Sequence, residues 1–209
     1  GIGYWQYGMS HGFLFASALR TAMGTDDGVF ARPSAKRTGH FPLLFTAPDR
    51  HSVAFCDDGA GSPSGPVFYL LAREYGEPAF AWQRRTFARE ADPFDLFWMP
   101  ESAPAFDPAS LPKARLFEDT GWAMVRANPG EPEQDIYLAF KSGDLKANHS
   151  HADLNSFVLV AFGERLVIDP GAGAYVPGYF GPGRWQMYHP GTRAHNTILV
   201  NGKGQYPKS

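Results

Sequence analysis

The sequence predicts an α+β chain, helical over its first half and antiparallel β over its second. Apolar residues recur at three- and four-residue spacing before about residue 100 and in short alternating runs after it. A Pro-rich stretch from Pro93 to Pro112 separates the two patterns, so the domains are expected at 1–108 and 109–209. The 209 residues are 44% hydrophobic, 15% aromatic and 19% charged, which supplies a core and excludes a disordered chain.

In the first region Leu14, Ala18, Leu19 and Met23 share one helical face, with Ser10 as expected N-cap and Gly24 at the expected end. Pro66 to Arg73, closed by Gly76, and Pro78 to Arg89 read as two shorter helices with Pro near their first turns. Pro33 to Pro48 and Cys56 to Pro66, rich in Gly, Pro, Asp and Ser, read as loops. In the second region the expected strands are Trp122 to Arg126, Ile136 to Phe140, Ser156 to Phe162, Arg165 to Ile168 and Asn196 to Val200. Phe162 to Arg165 (FGER) reads as a tight hairpin. The alternating FVLVAF run predicts an inner strand of a sandwich, covered on both faces. Pro170 to Gly191 is too long for a turn, and loops of that length tend to carry function.

Composition excludes several classes of function. No run of about 18 apolar residues could span a bilayer. Nineteen Lys+Arg against 21 Asp+Glu lack the basic excess that nucleic-acid phosphates demand. The single cysteine, Cys56, excludes an internal disulfide and is expected to be a semi-buried thiol. GAGSPSG (Gly59 to Gly65) lacks the following Gly-Lys-Ser/Thr of a phosphate loop. The chain opens on Gly1, in GIGYWQYG, which reads as the interior of a domain, so a fragment is expected.

Chemistry concentrates between residues 149 and 195, where His149, His151, Asp153, Asp169, His189 and His195 occur in NHSHADLNSF, VIDPG and TRAHNT. Residues two apart on an extended segment face one side, so His149 and His151 are expected to point into one pocket. Imidazole and carboxylate suit Zn²⁺, and His151, Asp169 and His195 can supply three ligands with a fourth position open. Read singly, each histidine is an ordinary hydrogen-bonded residue at a sheet edge, and Asp169 before Pro170-Gly171 an ordinary turn former.

The order HADLNSF, GERLVIDPG, TRAHNT resembles the heparinase II/III-like family of polysaccharide lyases, and the opening YWQYGMSHGFLFASALRTAMG resembles that family's last toroid helices. The resemblance implies the end of an α/α toroid followed by an antiparallel β-sandwich, with acidic polysaccharide as partner and a periplasmic or secreted bacterial setting. It implies Zn²⁺ on His151, Asp169 and His195, a substrate-facing His149, and a proton-transfer tyrosine at Tyr4 or Tyr7. The family's upstream Asn or His, which completes carboxylate neutralisation, has no counterpart here.

Uronate lyases remove the proton α to a carboxylate and expel the 4-linked sugar, which requires a carboxylate neutraliser, a base and an acid. Histidine and tyrosine can supply all three, if cationic or donor neighbours such as Arg193 or His149 lower a Tyr pKa from about 10. Tyr175, Tyr188 and Arg193 are expected substrate contacts, with Tyr179, Arg184 and Trp185 beside them in the long loop. Two other classes compete. His151-Ala152-Asp153 with His195 has the form of a non-haem iron triad, although no Arg follows His195. A non-catalytic carbohydrate-binding sandwich with structural zinc would use the histidines but needs neither the tyrosine pair nor His149.

Overall fold

The computed structural model describes residues 1–102 and 104–205; positions 206–209 of the expected second domain lie outside the described residues. It divides into two compact units, one of residues 2–44 and 62–108, the other of Gly1, 45–61 and 109–209. The segment 45–61 therefore belongs with the C-terminal half, a grouping that the sequence pattern does not reveal.

The helical unit is built on α1 (Ile2–Met23), α2 (Pro33–Thr38), α3 (His40–Leu44), α4 (Val67–Tyr75), α5 (Pro78–Phe87) and α6 (Asp95–Trp98). Its core joins Phe13, Leu43, Phe68, Leu70, Leu71 and Phe80. Helix α1 starts eight residues before the expected N-cap, so Ser10 lies inside it. Packing overrides the local signal there: Trp5 sits 5.5 Å from the Phe68 ring, and its Nε1 donates to Thr38 Oγ1 at 2.6 Å. Gly24 ends α1 as expected, in the left-handed conformation (φ 74°). Helices α4 and α5 fall close to their expected places, and Gly76 is the left-handed residue after α4 (φ 64°). The expected loop from Pro33 to Pro48 instead carries α2 and α3, with Pro33 preset for a first helical turn.

The second unit holds a five-stranded antiparallel meander in the order β1-β2-β3-β4-β5: Ala114–Phe117, Trp122–Arg126, Ile136–Lys141, Ser156–Ala161 and Glu164–Val167. Strand β1 was not foreseen. The β4–β5 hairpin turns on Phe162 (φ 56°) and Gly163 (φ 79°), the paired left-handed residues of a type I′ turn. One face of the sheet is buried through Trp122, Met124, Tyr137, Ala139, Val158 and Val160. Trp122 there meets Phe45 and Phe55 edge-on at 5.2 and 5.1 Å, which fixes segment 45–61 against the sheet. On the other face Phe157 and Leu159 are half-buried, so β4 is fully covered on one side only.

Asn196 to Val200 is not a strand among the described residues. The Asn196 side chain takes the place of a ladder, its Nδ2 donating to the carbonyls of Phe157 (2.8 Å) and Ile168 (2.6 Å).

Candidate functional site: a histidine–carboxylate cluster beside the sheet

His149 and His151 lie in the turn and loop before β4 rather than on a strand face. Their convergence has another cause. His149 takes a left-handed backbone (φ 62°), and both rings reach the same carboxylate, that of Asp57 in segment 45–61. His151 Nε2 stands 2.7 Å from Asp57 Oδ1 and His149 Nδ1 3.0 Å from Oδ2. Tyr179 donates its hydroxyl to Oδ1 at 2.6 Å, and Arg184 donates Nη2 to Oδ2 at 2.9 Å. Burial is the largest single effect on Asp57 and opposes its charge. The donors His151, Tyr179, His149 and Arg184 together outweigh it and hold the carboxyl well below the usual range.

The loop presenting Asp57 is tightly constrained. Ala54 (φ 56°) and Cys56 (φ 68°) are left-handed non-glycine residues, each costing on the order of 1 kcal/mol or more. The Asp57 amide donates to His149 O at 3.0 Å. On the other side Ala172 N donates to Asp58 O at 2.8 Å, and a Cβ on Gly171 (φ 62°) would lie 2.2 Å from that same oxygen. Only glycine fits this position of the Asp-Pro-Gly turn.

Beyond His151 the cluster continues to His195, whose ring centre lies 5.2 Å from that of His151. Two carboxylates border the pair. Asp169 Oδ2 lies 2.9 Å from His195 Nδ1 and accepts from Ser156 Oγ at 2.9 Å, while its Oδ1 accepts from Gly171 N at 3.0 Å. Asp153, fully buried, contacts the buried ammonium of Lys141 through Oδ1. His151 Nδ1, His195 Nε2 and Asp153 Oδ2 are buried without a hydrogen-bond partner. A ligand atom from each of His151, Asp153 and His195 lies within 4.8 Å of the others. Buried polar atoms left open in one small space are what a metal centre requires. This His/Asp/His cluster can hold a metal ion. Burial, opposed by Asp57, lowers the His151 pKa and keeps the imidazole neutral, as a ligand must be.

The remaining expected residues fall around this cluster or in the helical unit. The exposed Tyr175 brings its hydroxyl 3.4 Å from His149 Nδ1. Tyr188 is exposed, and Arg193 is exposed on the short 3₁₀ turn Thr192–Ala194. His189 packs on Gly173, at whose position a Cβ would meet its Nδ1 at 2.5 Å. Tyr4 and Tyr7 lie on α1, 40% and 66% exposed, with the Tyr7 ring 4.5 Å from that of His11. The sequence reading missed Asp57 altogether and gave Tyr179 and Arg184 too low a rank. The adjacent acids of CDDG after the apolar VAF were the available signal, in a segment that read as ordinary loop.

A meander whose loops gather histidines and carboxylates into one buried cluster defines a β-domain with a metal-capable centre. Residues 109–209 match the family described as "Heparinase II/III-like, C-terminal". No curated protein matches the chain significantly. Among solved structures, the heparan sulfate lyase HepC of Pedobacter heparinus superposes with a TM-score of 0.68 at 14% identity, over 97% of this chain and 29% of that one. A heparinase III gene product gives 0.63 at 17% identity, over 94% and 29%. The likeness is one of fold, and the chain spans under a third of the length of these neighbours. Their fold matches the expected class, helices followed by an antiparallel sheet of sandwich type.

Proposed function

We propose that this chain forms part of a polysaccharide lyase that cleaves uronate-containing acidic polysaccharides by β-elimination and works in the periplasm or outside the cell. The observation that carries the reading is the placement of His149 beside the metal-capable cluster. Its side chain, 29% exposed, is fixed by Asp57 and flanked by Tyr175. A half-exposed, oriented imidazole suits the substrate carboxylate, whose neutralisation acidifies the α proton. Tyr4 or Tyr7 moves the proton, and Tyr175, Tyr188 and Arg193 contact the sugar chain. No described helix is long and apolar enough to cross a membrane.

In this reading His151, Asp169 and His195 hold zinc. Asp153 already neutralises Lys141, whereas Asp169, among the described residues, faces His195 and pairs with no Lys or Arg. A bound zinc ion would supply fixed positive charge and anchor the loop that carries His149. The same ion pair weighs against an iron triad through Asp153. The test is incubation of the whole lyase of which this chain forms part with a panel of acidic polysaccharides, read as the rise in ultraviolet absorbance of an unsaturated uronate. Absorbance should rise on at least one uronate polymer. No rise on any of them by the zinc-loaded protein would refute the assignment.

A further inference from the structure

Asp57 has no exposed side-chain surface, and its two oxygens divide four donors between them: His151 Nε2 and Tyr179 Oη on Oδ1, His149 Nδ1 and Arg184 Nη2 on Oδ2. An ionised carboxylate only accepts hydrogen bonds, so each ring nitrogen facing it carries a hydrogen. For neutral rings this choice is complementary. His151 becomes the Nε2–H tautomer, with its lone pair on Nδ1, the buried nitrogen that has no hydrogen-bond partner. His149 becomes the Nδ1–H tautomer, with its lone pair on Nε2.

We propose that Asp57 is a positioning residue that sets opposite tautomers in His149 and His151 at once, presenting one lone pair to a metal and the other to substrate. The constrained backbone serves the same end. The hydrogen bond from Asp57 N to His149 O and the left-handed residues Ala54, Cys56 and His149 fix the carboxylate relative to both rings. Tyr179 and Arg184 then fill the remaining acceptor directions, so an imidazole that turns away takes a donor from the buried carboxylate. The assignment of the His149 lone pair to substrate rests on the lyase reading; the tautomers do not.

The experiment is a long-range ¹H–¹⁵N correlation spectrum of the full chain, histidine-labelled and metal-free, with the signals assigned through His149→Gln and His151→Gln. The expected spectrum shows protonated Nδ1 in His149 and protonated Nε2 in His151. Asp57→Asn keeps the shape but replaces one acceptor oxygen by an amide that only donates. At least one ring should then reverse its tautomer, and zinc affinity should fall about 10- to 100-fold. Reversed tautomers in the wild type overturn the proposal even if the variant fails to fold. So does an Asp57→Asn protein that keeps both tautomers and full zinc affinity. The predicted tautomers in a protein inactive on every uronate polymer would uphold the role of Asp57 while refuting the lyase assignment.

Discussion

If His151, Asp169 and His195 hold zinc, replacing Lys141 by Met and Asp153 by Asn together should leave zinc binding nearly intact, while Asp169→Asn alone should abolish it at micromolar metal. Both charges of the Lys141–Asp153 pair are buried, with 3% and 0% side-chain exposure. Changing Asp153 alone would strand an ammonium beside the site and repel a cation whether or not Asp153 is a ligand. Removing both charges keeps the local net charge constant and isolates the question of ligation. A unit charge about 4 Å from another, at an effective dielectric of about 20, is worth about 4 kcal/mol, or roughly three decades in affinity. Asp169→Asn should therefore weaken zinc binding about 10³-fold, and the double variant by less than about tenfold, the lower bound for an outer-shell change. Competition against a chromophoric chelator gives the affinities, and elemental analysis the stoichiometry. A double variant that loses zinc as completely as Asp169→Asn would refute the argument and make Asp153 the ligand.

Other perturbations reach separate parts of the molecule. Phe in place of the responsible tyrosine, Tyr4 or Tyr7, should lower turnover about 10²-fold or more with stability unchanged, and His149→Ala should do the same without releasing zinc. Full uronate-lyase activity in all three variants would exclude them from catalysis. Arg165 clamps Asp49 in bidentate fashion at 2.6 and 2.9 Å and donates to Ser52 O and His51 O, so Arg165→Ala should cost about 3 kcal/mol in denaturant unfolding. A loss under about 1 kcal/mol would mean that segment 45–61 is held by its aromatics alone. Burial, followed by nearby Glu74, pushes the Tyr75 phenol up to about 12, while unfolded tyrosine titrates near 10. Its neutral form thus favours the fold fully below about pH 10, and that contribution is lost as pH rises from 10 through 12. Denaturation should show a larger alkaline loss in the wild type than in Tyr75→Phe, whose remaining loss comes from the Tyr137 and Tyr179 phenols, also raised by burial.

The hairpin at Phe162-Gly163 and the ends of α1 and α4 at Gly24 and Gly76 were legible because each depends on the backbone freedom of one or two adjacent residues. Elements governed by distant contacts were not. Helix α1 extends back to Ile2 because Trp5 finds Phe68 and Thr38, which no local capping signal encodes. Asn196 to Val200 has strand-like composition, yet the Asn196 amide ties it to Phe157 and Ile168 and displaces a ladder. The histidine cluster could be seen because its members lie close in sequence. Asp57, 92 residues before His149, could not.

Segment 45–61 also dictates when the site can form. Asp57 is synthesised long before its partners, and its bonds to His149, His151, Tyr179 and Arg184 close spans of 92, 94, 122 and 127 residues. During translation this loop must wait, left-handed residues and apolar Val53 and Phe55 included, until the meander and the long Gly/Pro-rich loop have left the ribosome. A piece cut at residue 109, where the family match begins, would lack the aromatic partners of Trp122 and the carboxylate that orders both histidines. The smallest autonomous unit containing the cluster therefore starts upstream of Phe45, and transplanting the site into another scaffold would mean moving two stretches of chain rather than one.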